Sequence, residues 1–307
     1  MRDPLIRSLV ARTLEDVRRR IGSRAFLEDL VLPRFHPWMA AFVRYDDGSL
    51  GCGFSASVCK GMFAVLRKDL VSMPLRVVER GENAFSVIER FMRVETGDQE
   101  EQVLVNAIAL SVLNALSYKL LSQSTLGTEG FRVREHSIGS FMLGHRIGMV
   151  LRDIVKPSDK IAVVGYAYWA FPYIASRVRE FRCLELINEE LFEVTTLSGA
   201  KPRIKVSNNA EKTLGDADIV MITGMTIPNE TLSRILEYSR HTRLRIMYGP
   251  SCSFYPKRLF EHGIDLVLAM KVPATNEMKQ LIIDSRGLYP YENPSTTLLE
   301  IWSNKYA

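Results

Sequence analysis

The chain has 307 residues, of which 47% are hydrophobic and 24% charged, and its formal net charge is +5. This composition is typical of a globular protein with a sizeable core, and it excludes disordered and fibrous chains. The four cysteines form no C-x-x-C pair, so neither a disulfide scaffold nor a zinc ribbon is expected.

Charge and hydropathy also bear on location and partners. No run of about 18 apolar residues is present, and charged side chains interrupt the amino-terminal segment, so neither a membrane span nor a signal peptide is expected. We therefore expect a cytoplasmic protein without a membrane partner. The positive charges are spread along the chain apart from Arg18–Arg20, and no nucleic-acid-binding motif accompanies them, which argues against a nucleic-acid partner.

The beginning of the chain predicts a helix and a β-hairpin. Residues 5–21 place apolar side chains at helical spacing and end at Gly22, which is typical of an amphipathic helix. Two β-prone runs, AAFVRY and LGCGFSAS, flank the turn sequence Asp46-Asp47-Gly48 and predict a hairpin. Gly51 and Gly53 in the second run indicate a bulge, an edge strand, or a close approach of a ligand or another backbone.

Helices and a polar loop are predicted next. A short helix is expected near 60–70, and a longer one over 100–121 is apolar on almost every side, as a buried helix would be. Residues 122–137 are polar and predict a loop at the rim of a cleft, and 139–155 predict another helix. The polar connector after it places a domain boundary at residue 156, so residues 1–156 form a predicted α+β domain.

The second half of the chain, residues 157–307, predicts a Rossmann-like α/β domain. Apolar strand patterns alternate with helical ones, which is the signature of a parallel sheet. The predicted strands are 161–166, 182–188, 218–224, 243–249 and 265–270, with a weaker one at 203–206, and the predicted helices lie near 169–180, 229–240 and 256–262.

The end of the first strand of this domain is a candidate ligand site, because ligands bind at the carboxyl ends of strands in open parallel sheets. Gly165-Tyr166 follows the strand, but no G-x-G-x-x-G is present, so NAD(P) binding loses most of its support. The next aromatic side chains are expected either to stack on a flat ligand or to pack between the domains, and they belong to Tyr166, Tyr168 and Trp169. Their residue types favour packing. Glu185, at the end of the next strand, is placed to accept hydrogen bonds from a ribose or lies at the surface.

Two polar loops give the sharpest local signal. Gly224 permits a tight turn after a strand, and hydroxyl and amide side chains gather around it at the start of a helix. These side chains belong to Thr223, Thr226, Asn229 and Thr231. Capping of that helix by Asn229 is the simpler alternative to ligand binding. Gly249, Pro250 and Ser251 form a second such loop, and the two loops on neighbouring strands would make one polar pocket.

Metal and nucleophilic chemistry have little support in the sequence. The five histidines are scattered, and no H-E-x-x-H or paired Cys/His spacing occurs. Cys252 follows a Gly-Pro-Ser turn, but nothing identifies a base beside it. Since neither carboxylates nor thiolates and imidazoles gather in the sequence, a metal is expected to arrive inside a ligand.

The segments DADIVMITGMTIPNET and YGPSCS resemble the family described as "putative heavy-metal chelation", whose pattern is A-D-x-x-x-x-T-G-T-T-x-x-N-x-T followed by G-P-S. IAVVGY, VNAIALSVLNALS and GCGFSAS are similar to other parts of the family. The resemblance implies an enolase N-terminal-like domain, a Rossmann-like domain and a site in the cleft between them. That site maps to Gly165, Tyr166, Thr223, Gly224, Thr226, Asn229, Gly249, Pro250 and Ser251, with Gly53 and Asn114 from the first domain. Met225 and Met270 depart from the family pattern.

Three functional hypotheses follow. The first is a protein that binds a small polar or anionic, metal-chelating ligand in the interdomain cleft. The second is an enzyme with a nucleotide-type cofactor, in which S-adenosylmethionine is favoured over NAD and Glu185 meets the ribose. The third is a homo-oligomeric interaction protein that uses the aromatic residues at 166–171 together with Tyr289, Tyr291 and Trp302.

Overall fold

Two β-sheets and the helices around them make up the protein. The computed structural model describes residues 1–33, 38–57, 77–139, 143–165, 167–186, 189–193, 195–198, 203–286 and 293–306. The described strands form one three-stranded sheet and one eight-stranded sheet. The predicted helix near 60–70 lies outside the described residues.

The small sheet is antiparallel, with the order β1-β2-β3. It consists of β1 (Ala25–Val31), β2 (Trp38–Tyr45) and β3 (Leu50–Ala56). The predicted hairpin is confirmed, since β2 pairs with β3 around a turn in which Gly48 has a φ of 80°. That value lies in the left-handed region, which glycine adopts without strain.

Three helices pack with the small sheet: α1 (Pro4–Ile21), α2 (Ala84–Arg93) and α3 (Gln99–Ser117). The prediction of α1 is confirmed. Asp3 accepts a hydrogen bond from the amide of Ile6 at its start, and Gly22 ends it with a φ of 81°. Every residue of α3 from Gln102 to Ser117 is buried, as its apolar pattern predicted.

The segment that contains α3, Gln99–Leu120, is long and apolar enough to cross a membrane. However, 89% of its apolar window is buried inside the protein. Its apolar character is therefore explained by its position as the central core helix, because its side chains contact protein on all sides.

The large sheet confirms the predicted α/β class. Its order is β4-β11-β10-β9-β8-β5-β6-β7, and the strands from β5 to β10 are parallel. Its strands are β4 (Arg132–Ser137), β5 (Lys160–Val164), β6 (Glu180–Leu184), β7 (Ile204–Ser207), β8 (Ile219–Thr223), β9 (Leu244–Tyr248), β10 (Leu266–Lys271) and β11 (Thr297–Trp302).

Short helices connect these strands. They are α4 (Gln123–Gly127), α5 (Leu143–Arg152), α6 (Phe171–Ile174), α7 (Ala210–Leu214), α8 (Leu232–Tyr238), α9 (Lys257–Glu261) and α10 (Asn276–Asp284). The helices predicted at 169–180 and 229–240 are present but shorter than the sequence indicates.

The prediction of a polar loop over 122–137 is wrong, because this segment contains α4 and β4. β4 pairs with β11 along its whole length, as the outermost strand of the large sheet. The predicted boundary at residue 156 assigns β4 to the first domain, whereas its hydrogen bonds join it to the second. The polarity of β4 hid it in the sequence, since an edge strand needs only one buried side-chain row.

The two sheets share a core. One continuous set of buried apolar side chains runs from α1 and α3 to one face of the large sheet, and it includes Leu9, Leu104, Val220 and Phe254. The opposite face of the large sheet packs against Phe42 and Phe54 of the small sheet and against α5. The two predicted domains therefore pack directly against each other.

Candidate functional site

The order of the strands places a switch point at the carboxyl edge of the large sheet, and we call the region between the strand ends there the crevice. From β5 the chain proceeds to β6 and β7 on one side, and then returns to β8, β9 and β10 on the other. The loops after β5 and β8 therefore leave in opposite directions, and ligands of open α/β sheets bind at such a switch point. Gly165 follows β5, and Thr223 is the last residue of β8.

Gly165 directly follows β5 at this switch point. Its φ is +89°, and its amide donates to Leu184 O at 2.8 Å. A methyl group added at Gly165 would lie 3.6 Å from Cγ2 of Thr223 and 3.8 Å from the hydroxyl oxygen of Tyr248, which is ordinary contact. Glycine is thus required here by the backbone angle rather than by lack of space. Tyr166, its predicted neighbour in the site, lies outside the described residues.

Tyr248, the last residue of β9, is buried next to Gly165. Its hydroxyl donates to Val164 O at 3.1 Å, and its ring meets Trp169 edge to face with 5.5 Å between ring centres. Burial raises the pKa of Tyr248, so the phenol stays protonated at neutral pH. Sequence reasoning passed over this residue as a site member, although it directly precedes the Gly-Pro-Ser loop.

The loop after β8 uses most of its polar groups internally. The hydroxyl of Thr226 is buried and donates to Thr223 O at 2.8 Å. Asn229 Oδ1 accepts from the hydroxyl of Thr231 at 2.8 Å. The alternative that Asn229 caps α8 is wrong, because Thr231 is the N-cap residue of that helix. Thr223 and Asn229 are half-buried, and the Thr223 hydroxyl oxygen accepts from the amide of Met225 at 3.4 Å.

The two polar loops are in direct contact. A methyl group at Gly224 would lie 2.8 Å from the amide nitrogen of Cys252, a distance at which the backbones would have to separate. Gly249 has a φ of +102°, and its carbonyl accepts from the Cys252 thiol at 3.0 Å and from the Ser253 hydroxyl at 3.3 Å. The two loops are therefore neighbours, as expected. At Gly224 and Cys252, however, their backbones pack directly against each other.

Ser251 and its neighbours form a joint between the two sheets. The Ser251 hydroxyl accepts from the amide of Ala56 at 3.1 Å and from the Ser55 hydroxyl at 3.3 Å. Asn114 of α3 donates from Nδ2 to Phe54 O at 2.5 Å and to Pro250 O at 3.0 Å. Both side chains are buried, so their amide and hydroxyl groups tie β3, α3 and the 249–253 loop together.

Gly53 belongs to the same joint. A methyl group on it would lie 2.2 Å from the amide nitrogen of Ala115 and 2.3 Å from Ser111 O. Of the alternatives raised by the glycines of β3, the close approach of another backbone is therefore present, and that backbone is α3. In the described structure, the predicted site residues Gly53, Asn114, Pro250 and Ser251 thus contact one another rather than the open crevice.

Glu185 lies at the end of β6, the strand next to β5. It directly follows β6, whose last residue, Leu184, accepts the hydrogen bond from Gly165. The carboxylate of Glu185 accepts from the amide of Leu186 at 2.8 Å, and the side chain is half-exposed. An acidic side chain at this strand end is positioned as those that hold a ribose in dinucleotide-binding folds.

The described residues offer no donor set for a resident metal ion. Within them, no three His, Cys, Asp or Glu side chains lie together. Burial raises the pKa of the Cys183 thiol to about 12 and raises that of Cys252 as well, so both stay protonated. A protonated thiol is a poor nucleophile, and that of Cys252 donates a hydrogen bond to Gly249 O. Cys59 lies outside the described residues.

The described aromatic residues of the predicted interaction surface pack inside the chain. Trp169 covers Gly144 of α5, where a methyl group would lie 2.6 Å from the indole. Phe171 meets Phe181 edge to face, and Trp302 is buried beside Tyr306. Tyr289 and Tyr291 lie outside the described residues, and the homo-oligomer stays a prediction.

The fold and the crevice define an α/β protein of the Rossmann-like class, in which a second, antiparallel sheet is joined to the carboxyl edge of the parallel one. Residues 151–296 match the DUF364 family, which is described as "putative heavy-metal chelation". Both polar loops lie within this matched segment, and the resemblance inferred from them is confirmed. No functionally curated protein matches the sequence.

Two solved structures of that family share the fold over nearly the whole chain. A protein of unknown function from Pyrococcus horikoshii superposes with a TM-score of 0.65 at 13% identity, covering 97% of this chain and 98% of its own. One from Desulfitobacterium hafniense DCB-2 gives a TM-score of 0.61 at 17% identity, covering 94% and 97%. The small sheet is therefore part of the shared fold, although the matched family segment begins only at residue 151.

Proposed function

We propose that the protein binds a small polar or anionic ligand in the crevice between the ends of β5 and β8. The observation that carries the proposal is the position of Gly165 and Thr223 on either side of the switch point of the sheet. A glycine with positive φ exposes backbone to a ligand, and Thr223 lies beside it at the end of the neighbouring strand. The buried joint beneath would act as a rigid support.

The chemistry of the described residues favours a metal chelate over a bare ion. Heavy metals bind thiolates and imidazoles, and the described residues bring no three such donors together. A metal held inside an organic anion needs only hydrogen-bond donors and a cavity of the right shape. The family description therefore agrees best with a ligand that carries its own metal donors.

Native mass spectrometry tests this proposal. The untagged protein is measured beside its denatured form, and we expect an additional mass from a retained ligand in the native spectrum. Thr223→Val removes the crevice hydroxyl while keeping the side-chain shape, and we expect it to lose most of that ligand. Thr128→Val is the matched control, because the exposed Thr128 hydroxyl donates to Thr125 O in α4, outside the crevice. Equal retention by both variants would contradict the assignment of the site.

A titration separates the chelate from the ion. Calorimetry with Ni²⁺ alone and with the nickel–citrate complex compares a bare cation with a small anionic chelate, and we expect tighter binding of the complex. Tighter binding of Ni²⁺ alone would point to a donor set in the protein instead, and would contradict the chelate proposal.

Glu185 favours a second candidate, an enzyme with a nucleotide-type cofactor such as S-adenosylmethionine. The carboxylate follows β6 next to the crevice, where an acidic side chain accepts hydrogen bonds from ribose hydroxyls. Equilibrium dialysis with labelled S-adenosylmethionine tests it, and Glu185→Gln should weaken retention. No retention at about 1 mM would reject this candidate.

A further inference from the structure

A second concave surface lies at one edge of the large sheet, separated from β8 by the two strands β9 and β10. It is a groove of about 440 Å³ between the exposed edge of the sheet, formed by β4 and β11, and helix α5. Its volume lies in the range of small-molecule sites. We call it the arginine groove, because Arg132, Arg134, Arg146 and Arg152 line it.

The register of the two strands builds the floor of the groove. Arg132 lies opposite Trp302, and Arg134 lies opposite Glu300. Side chains two residues apart on a strand point to the same face, so both arginines and their partners share one surface. The guanidinium carbon of Arg132 lies 4.9 Å from the ring centre of Trp302. This stacking holds the guanidinium in a defined orientation without neutralising its charge.

The carboxylate on the floor is already engaged. Glu300 is only 5% exposed, and its two oxygens are 2.7 Å from Nε1 of Trp302 and 2.8 Å from Nε2 of His136. Arg134 reaches it only at 4.0 Å and is 65% exposed. The charge of Arg134 is therefore poorly compensated by the protein.

The wall of the groove adds further positive charge. Arg146 of α5 donates twice to Ser137 O, at 2.9 and 2.7 Å, which fixes the helix against the end of β4 and places a third guanidinium group in the lining. Arg152 is paired with Asp153 at 3.2 Å, and that carboxylate is 72% exposed. The lining thus carries four arginines against two carboxylates, Asp153 and Glu300.

We infer that the arginine groove binds a phosphorylated small molecule whose phosphate groups are held by Arg132 and Arg134. Guanidinium groups match phosphate oxygens with paired, charge-assisted hydrogen bonds. A compact ligand with two or more phosphate charges fits both the excess positive charge and the limited volume. An extended nucleic acid would need a longer basic surface, whereas the net charge of +5 is spread along the chain.

Calorimetric titration of the full chain with inorganic pyrophosphate tests this inference at about 0.15 M salt. We expect a dissociation constant below about 1 mM for the unmodified protein. Arg132→Gln and Arg134→Gln should each weaken binding by about tenfold or more, since each removes charge-assisted hydrogen bonds. Arg7→Gln, at an exposed position of α1 away from the groove, is the matched control and should bind as the unmodified protein does.

Asp153→Asn supplies a change in the opposite direction. It removes an exposed negative charge from the groove, so pyrophosphate should bind more tightly, which a nonspecific loss of structure could not produce. Absence of binding, or equal weakening by Arg7→Gln and Arg134→Gln, would overturn the inference. A single-stranded oligonucleotide that binds more tightly than pyrophosphate and competes with it would also overturn it, in favour of a nucleic-acid surface.

Discussion

Substitution of Gly53 by alanine separates a packing role of this residue from a ligand-binding role. The new methyl group would lie 2.2 Å from the Ala115 nitrogen, 2.3 Å from Ser111 O and 2.7 Å from the Asn114 carbonyl carbon. Carbon atoms in contact are about 3.5–4.0 Å from their neighbours, so β3 and α3 would have to separate by roughly 1 Å. All three obstructing atoms belong to the backbone of a buried helix, which cannot turn aside as a flexible side chain can.

The expected cost follows from this geometry. Overpacking of a well-packed core costs about 1–3 kcal/mol, and three backbone contacts place Gly53→Ala at the upper end, near 3 kcal/mol. With a melting-temperature change of about 2–4 °C for each kcal/mol in large domains, the variant should melt roughly 6–12 °C lower. Urea unfolding followed by circular dichroism measures the free energy, and a thermal scan measures the melting temperature.

Gly97→Ala is the matched control for this experiment. Nothing lies within 4 Å of a methyl group at Gly97, and its φ is not positive, so this variant should be as stable as the unmodified protein or slightly more so. Equal stability of the two variants would refute the close approach of β3 to α3. Loss of a ligand from a Gly53→Ala protein of undiminished stability would favour a direct ligand contact instead.

Three further substitutions test the joint, the packing of α5 and the electrostatics of the sheet. Ser251→Ala leaves a buried β3 amide without its acceptor and should lower the free energy of unfolding by about 1–3 kcal/mol in urea; a loss under about 0.5 kcal/mol would contradict the joint. Gly144→Ala brings a methyl group to 2.6 Å from Trp169 and should lower the melting temperature and shift tryptophan emission, whereas an unchanged spectrum would contradict the contact. Hydrogen bonds from Arg182 and Lys205 lower the pKa of Glu180 from 4.5 to about 2. Between these two pH values the unfolded chain binds more protons than the folded one, so the stability of the fold decreases as the pH drops through this interval. Glu180→Gln should therefore flatten the melting temperature between about pH 4.5 and 2, and an unchanged slope would refute this coupling.

The parallel sheet was predictable because its strands are locally encoded. The strands β5, β8 and β10 are short, mostly apolar runs, and a strand buried on both faces needs no partner-specific pattern. β6 also includes Glu180 and Arg182, and β9 includes Arg245, among their apolar residues. The Asp46-Asp47-Gly48 turn determined the hairpin in the same way, through the preference of glycine for positive φ. The position of Gly165 and Thr223 at strand ends followed from these local signals.

The joint could not be predicted, because it depends on atoms far apart in the chain. Ser251 and Ala56 are separated by 195 positions, and Asn114 and Pro250 by 136. Sequence reasoning recognised the hydroxyl and amide groups as binding groups but had no means of telling whether a ligand or the protein itself would bind them. Burial favours pairing within the fold, because most buried polar groups have a protein partner, although Asn114 Oδ1 has none among the described residues.

What the sequence by itself determined is the fold class and the candidate strand ends, both of which arise from side-chain periodicity and turn chemistry within a few residues. Only the tertiary structure decided the strand order, and with it the switch point between β5 and β8 and the addition of β4 to the edge of the large sheet. The physical reason is that strands pair through backbone hydrogen bonds, which every residue except proline can donate and accept. The choice of partner therefore depends on the packing of the whole core.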